Sequence, residues 1–128
     1  MLTIKPIEKK DDQRTLCGVC GIEYGADYFA YAAYDDEKFI GICQFGMGDG
    51  VGHIYDISPA PDTDDFESLF LLGRAALNFI DLCGVSDAYF EGEEGRLSKA
   101  VGFKKTDDGK LYMDLRGFFT DHDKHSQK

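Results

Sequence analysis

The hydrophobic pattern changes period several times along the chain, and each change marks an element. "LTIKPI" (residues 2–7) sets Leu2 and Ile4 on one side of a short strand, and Pro6 confines it to a sheet edge or a strand end. "DDQRTLCGVCGIE" (11–23) opens with acids that suit a helix start, while Gly18 and Gly21 keep that helix short or irregular. "DYFAYAAY" alternates Tyr28, Ala30 and Ala32 against Phe29, Tyr31 and Ala33. After the polar turn "DDEK", "FIGICQF" alternates Phe39, Gly41, Cys43 and Phe45 against Ile40, Ile42 and Gln44. Period two on both sides of a turn predicts a hairpin. The glycine-rich "GMGDGVG" leads into a third strand, "HIYDIS", which completes an antiparallel meander.

The period becomes helical over 64–83. Phe66, Leu69, Phe70, Gly73, Ala76, Leu77, Ile80 and Cys83 fall on one face, and Leu71, Leu72, Ala75, Phe79 and Leu82 cover much of the remainder. Only Glu67, Arg74, Asn78 and Asp81 mark a polar stripe, so the pattern predicts a helix packed over most of its circumference and stopped at Gly84. "VSDAYFEG" reads as a strand, "GRLSKAVGF" as a short helix ending at Gly102, and "FKKTDDGKLYMDLRGFF" as a closing hairpin around 107–109. The order is β-α-β-β-β-α-β-α-β-β with no repeat and no linker. It predicts one α/β (α+β) domain over 1–119, a mixed, mostly antiparallel sheet flanked by helices, followed by a polar tail over 120–128.

Composition narrows the partners. The 128 residues are 43% hydrophobic with ten Phe and seven Tyr, enough for a packed core. The formal charge of −10 argues against nucleic acid and anionic membrane surfaces, which both need clustered Lys and Arg. It suits a neutral small molecule or a cationic amine. No apolar run reaches the roughly 18 residues of a membrane helix and the N-terminus lacks a signal-peptide core, so the sequence predicts a cytoplasmic chain with Cys17, Cys20, Cys43 and Cys83 reduced.

With the elements in place, two local patterns stand out: "IYDISP", ending at Pro59, and "AVGFKK" over 100–105. The first is similar to the "Leu-x-Val-x-Pro" end of the fourth strand in the GNAT superfamily of N-acetyltransferases, the second to that family's "Leu-Gly-Phe-Lys". Their order, and the long helix between them, make nearly the whole chain from Leu2 to Phe119 resemble that superfamily. The resemblance implies acetyl-CoA or CoA as cofactor, lying where the fourth and fifth strands splay apart, with strand-edge backbone at Tyr55, Ile57 and Ser58 as its contacts.

The family's phosphate loop reads "[Arg/Gln]-x-x-Gly-x-[Gly/Ala]", in which glycines let backbone amides reach the pyrophosphate at a helix start. Carried across from Pro59, those positions hold Asp62, Asp65 and Glu67, whereas the apolar positions match at Phe66, Phe70 and Leu71. Like charges at roughly 4–6 Å cost about 1–4 kcal/mol per pair. Several such pairs would remove most of a micromolar affinity, worth about 8 kcal/mol. The family's acidic Tyr corresponds to Ser98, a far weaker acid, and an Asn that precedes it corresponds to Glu91. The packing positions of the resemblance survive and its chemical ones do not. That predicts a degenerate acetyl-CoA site, with no or weak activity and a role in ligand binding or assembly. The alternative is a working N-acetyltransferase on a cationic amine with an altered cofactor mode.

Other residues carry candidate chemistry. His53 or Asp56, on the strand bordering the cleft, is placed to be a general base, with His53 expected to share a face with Tyr55 and Ile57 and Asp56 on the other. Cys17 and Cys20 have Cys-x-x-Cys spacing, but no second ligand pair accompanies them, so no metal is assigned and small packing thiols are the simpler reading. Arg74 is expected to pair with Asp81 or Glu67. His122 and His125 flank Asp123 in the tail. Tyr28, Phe29, Tyr31 and Phe39 read as core or as a homodimer interface.

Overall fold

Three long strands form the middle of the sheet. In the computed structural model, which describes residues 1–119, β1 (Leu2–Pro6) is followed by α1 (Lys10–Cys20) and then by β2 (Phe29–Asp35), β3 (Lys38–Gly48) and β4 (Val51–Pro59). These last three pair antiparallel in succession, with β1 on the outer side of β2 and Pro6 at its end. The glycine-rich connection resolves to a two-residue turn. Asp49 and Gly50 take φ of 55° and 81°, the left-handed pair whose twist suits adjoining strands. α2 (Phe66–Leu82) then crosses over to β5 (Asp87–Phe90), which lies parallel to β4; α3 (Arg96–Val101), β6 (Lys104–Lys105) and β7 (Leu111–Asp114) complete the chain. The seven strands lie in the order β1-β2-β3-β4-β5-β7-β6. The element order and the mostly antiparallel sheet are those the pattern predicted.

The main core lies between the sheet and α2. Leu72, Ala76, Leu77 and Ile80 are buried against Phe45, Ile54 and Ile57, with Met113 and Leu115 from the closing hairpin. Each large side chain buried this way contributes about 1.5–3 kcal/mol. Phe29 and Tyr31 join this core at its rim, packing with Phe45 and Phe79, while Phe39 packs with Tyr34.

The outward stripe of α2 differs from the expected one. Leu71 and Leu82 are exposed, at 39% and 68%, alongside Glu67 and Asn78, so the helix is covered over less of its circumference than the pattern implied. Arg74 leaves that stripe because it has an inward partner. Its Nε–H donates to the Val101 carbonyl at 2.7 Å, and its guanidinium lies 4.7 Å from the ring centres of both Phe70 and Phe118. The expected pairing with Asp81 or Glu67 gives way to a cation at the carbonyl end of α3, where the helix dipole favours it.

On the other face, α1 packs chiefly on β3, burying Cys17 against Ala30 and Ile42. The β4–β5–β7 part of that face carries the half-buried rings of His53, Tyr55, Tyr89 and Tyr112. Among the described residues no helix is long and apolar enough to cross a membrane. The tail over 120–128, with His122 and His125, lies outside the described residues.

Candidate functional site

Parallel pairing between β4 and β5 is short. It joins Gly52, His53 and Ile54 to Ala88, Tyr89 and Phe90, and its last link is the Glu91 N–H donating to the Ile54 carbonyl at 2.9 Å. Beyond it no ladder pair joins the strands: β4 runs on to Pro59 while the chain after Glu91 turns toward α3. A cleft opens there, between the C-terminal half of β4 and the chain leaving β5, at the strand ends where open sheets place ligands. The Ala60 N–H donates to the Ile40 carbonyl at 2.8 Å. An antiparallel ladder alternates, so Ile57 turns its backbone toward this cleft and Ser58 turns its own toward β3. Tyr55, at the cleft's closed end, has its ring on the α1 side.

The helix starts beside the cleft are engaged by their own side chains. Asp65 caps α2: one carboxylate oxygen accepts from the Ser68 N–H at 3.0 Å, the other from the Ser68 hydroxyl at 2.7 Å. Those two bonds hold the Asp65 carboxyl below the usual carboxylate range. Asp62, with φ of 59°, and Asp64 and Glu67 are exposed around the same helix start. Ser98 is buried, and its hydroxyl both donates to the Gly95 carbonyl and accepts from the Gly95 N–H, each at 3.0 Å. One base approaches: the Arg96 guanidinium lies 3.9 Å from the centre of the Phe66 ring at the first position of α2.

A bulge in β4 rearranges the candidate general bases. Gln44 pairs with Asp56 but Phe45 with Ile54, so Tyr55 is an extra residue in the register. The alternation slips by one. Ile57 joins the α2 core beside Ile54, and Asp56 comes to the α1 side with His53 and Tyr55. This corrects the expected faces, since strict period two would have exchanged Asp56 and Ile57.

Asp56 is half-buried and takes two bonds from one residue, the Gln44 N–H at 3.3 Å and its side-chain amide at 2.9 Å. Burial still pushes its carboxyl above the usual range, against the pull of Gln44. Gln44 also donates to the Glu23 carbonyl and accepts from the Gly25 N–H and from Gln13. These buried amides tie the loop after α1 to the sheet, and Tyr28 completes the closure by stacking on Tyr55 at 3.6 Å. A cavity of about 320 Å³ lies beneath, lined by Tyr24, Tyr28, Tyr55 and Asp56.

His53 is held differently. Its Nδ1 lies 2.6 Å from Glu91 Oε2, and its ring lies against Tyr55 and Tyr89, with centroids 5.7 and 6.3 Å away. A carboxylate at one imidazole nitrogen fixes the ring and leaves the other nitrogen to exchange a proton. The pair lines a cavity of about 500 Å³ together with Val51, Tyr89, Gly92 and Lys110.

The candidates thus separate into a cleft edge (Ile57), a half-buried acid (Asp56) and a histidine–carboxylate pair (His53 with Glu91). Glu91, Gln13, Gln44, Arg96 and Lys110 were not singled out from sequence as parts of these arrangements. Only Gln44, set between Cys43 and Phe45 in an apolar strand, carried a signal in the sequence. Cys17 and Cys20 are not activated: burial pushes both thiols up to about 11, with Asp56 adding to the shift. No group of three or more His, Cys, Asp or Glu among the described residues is arranged for a metal ion.

At the level of sequence, no family model and no curated protein matches the chain. Solved structures do match. The ribosomal-protein-S18-alanine N-acetyltransferase of Escherichia coli superposes with a TM-score of 0.64 at 14% identity, over 88% of this chain and 89% of that one. A GNAT family acetyltransferase from Brucella melitensis, solved in complex with acetyl-CoA, gives 0.69 at 14%, over 90% and 88%. The PaiA N-acetyltransferase of Thermoplasma acidophilum, in complex with coenzyme A, gives 0.63 at 15%, over 88% and 97%. The chain has the GNAT fold.

Proposed function

We propose that this chain is a GNAT-fold protein whose cofactor cleft no longer holds CoA tightly, and that it works by binding a small ligand on the sheet face opposite α2. The carrying observation is the start of α2. The Asp65 carboxylate takes the Ser68 amide, and Asp62, Asp64 and Glu67 surround the amides that remain. A pyrophosphate would have to displace one carboxylate and sit among three others, each like-charge contact costing about 1–4 kcal/mol. Arg96 supplies one opposing charge across the cleft, in exposed surroundings where an ion pair is worth about 0–1 kcal/mol. The donor set does not fit the cofactor.

Titration calorimetry with acetyl-CoA at moderate salt tests this reading. No saturation in the low-micromolar range is expected, and an affinity in that range or tighter overturns it. Asp62→Asn, Asp64→Asn and Asp65→Gly together should then tighten binding at least tenfold over the parent.

One observation favours a second reading, an N-acetyltransferase acting on a cationic amine. His53, fixed by Glu91 at the mouth of the splay, is placed to take a proton from an ammonium group. Thiol release from acetyl-CoA with a polyamine and aminoglycoside panel separates the two readings. Turnover abolished in His53→Asn would favour catalysis, and its absence in a folded sample would favour binding alone.

A further inference from the structure

Two residues of opposite charge stand where they would pair across strands, and they do not. The β5–β7 ladder pairs Tyr89 with Tyr112 and Phe90 with Leu111. One step further sets Glu91 against Lys110. Alternation turns both to the face of Tyr89, away from Phe90 and Leu111, which belong to the α2 core. Cross-strand opposite charges usually stabilise a sheet by meeting. Here Glu91 Oε2 lies 2.6 Å from His53 Nδ1, and Lys110 Nζ lies over the Tyr89 ring, 5.7 Å from its centre. Among the described residues no ion pair joins Lys110 to a carboxylate, and Glu91 Oε1 and His53 Nε2 make no bond.

Between these groups lies the cavity of about 500 Å³, within the range of small-molecule sites. Its wall offers the Glu91 carboxylate beside His53 at one end, the Lys110 ammonium at the other, and the Tyr89 ring between. Gly92 and Gly109 place no side chain in it.

We propose that this cavity binds a small zwitterion of the α-amino-acid type, its ammonium on Glu91 Oε1, its carboxylate on Lys110 and its side chain over Tyr89. Both charges are needed because the two ends of the site have opposite sign: Glu91 keeps Oε1 open beside its bond to His53, and Lys110 makes no ion pair among the described residues. An amine lacking a carboxylate leaves Lys110 unanswered, and an acid lacking an amine places its charge beside Glu91. The assignment deepens the ligand-binding reading above and rests on it.

The test uses three probes that share one body: phenylalanine, phenethylamine and 3-phenylpropanoate, titrated into the full chain near neutral pH without CoA and followed by protein NMR. Phenylalanine should saturate in the millimolar range or tighter and bind about fivefold or more tightly than either single-charge probe, as expected for charge-assisted bonds at a partly exposed site. Lys110→Met should reduce phenylalanine to the level of phenethylamine and leave phenethylamine unchanged. Glu91→Gln should erase the advantage over 3-phenylpropanoate. Equal binding of all three probes, no saturable phenylalanine binding, or indifference to Lys110→Met in a sample with parental melting overturns the proposal. Because CoA is absent, failure here removes the zwitterion site alone, and the acetyl-CoA titration still decides the cleft.

Discussion

Asp65 and Asp56 are two carboxylates with opposite relations to stability, and they make a paired prediction. The Asp65 carboxyl is lowered by Ser68, so its contribution is present above its unfolded value near 4 and is lost as pH falls through the lower folded value. Asp65→Ala should cost about 1 kcal/mol at neutral pH, the usual size of an N-cap, with the difference closing in strong acid. The Asp56 carboxyl is raised by burial, so the folded state opposes its ionisation and stability falls as pH rises from about 4 through the raised value. Asp56→Asn removes that charge but sets an amide N–H against one of the two Gln44 donors, so the variant should compare with the parent more favourably at neutral pH than below about pH 4. Urea unfolding across pH 2–8 reads both arms, and a parallel loss in the two variants would contradict this account. That a helix begins close to Asp65 was legible in the helical period over 64–83. The surroundings of Asp56 were not, since they depend on Gln13 and Gln44 arriving from α1 and β3.

At the scale of elements, β4 decides most of the site. Its extra residue at Tyr55 exchanges the faces of Asp56 and Ile57, and its pairing with β5 stops after Ile54. Neither was legible in the period-two pattern, because a bulge is defined by the partner strand and a splay by where pairing stops. The strands themselves, and α2, were legible through alternation and helical spacing. β3 leaves no room for a side chain at Gly41, where a Cβ would meet the Ser58 carbonyl at 2.6 Å and Leu69 at 2.8 Å. Backbone cannot step aside as a side-chain tip can, so Gly41→Ala should cost about 1–3 kcal/mol. Denaturant midpoints measure this, and an unchanged midpoint would mean that the strands separate without cost. The same approach explains why the element holding the cleft edge has a glycine opposite it.

For the whole molecule, charge and topology act separately. The sheet order and the helix between β4 and β5 define the fold; the element order and that helix were legible because the anchors "IYDISP" and "AVGFKK" hold packing positions, whereas the exchange of β6 and β7 in the sheet was not. The net charge of −10 says nothing of fold but acts on stability through self-repulsion. Raising salt from about 10 to 150 mM shortens the screening length from roughly 30 to 8 Å. The melting temperature should rise over that interval. A fall would mean that attractive pairs, such as Arg116 with Asp87 and Asp114, outweigh the repulsion.

The aromatic row on the open face has a practical bearing as well. The chain contains no tryptophan, so its ultraviolet emission comes from tyrosine. Tyr28, Tyr55, Tyr89 and Tyr112 lie together on the face that carries both cavities, with Tyr28 and Tyr55 in ring contact. Quenching and energy transfer among these rings depend on their separations. The protein therefore carries a native optical label on its ligand face, and opening of the loop over Tyr55 or filling of the cavity beside Tyr89 registers as a change in its own light.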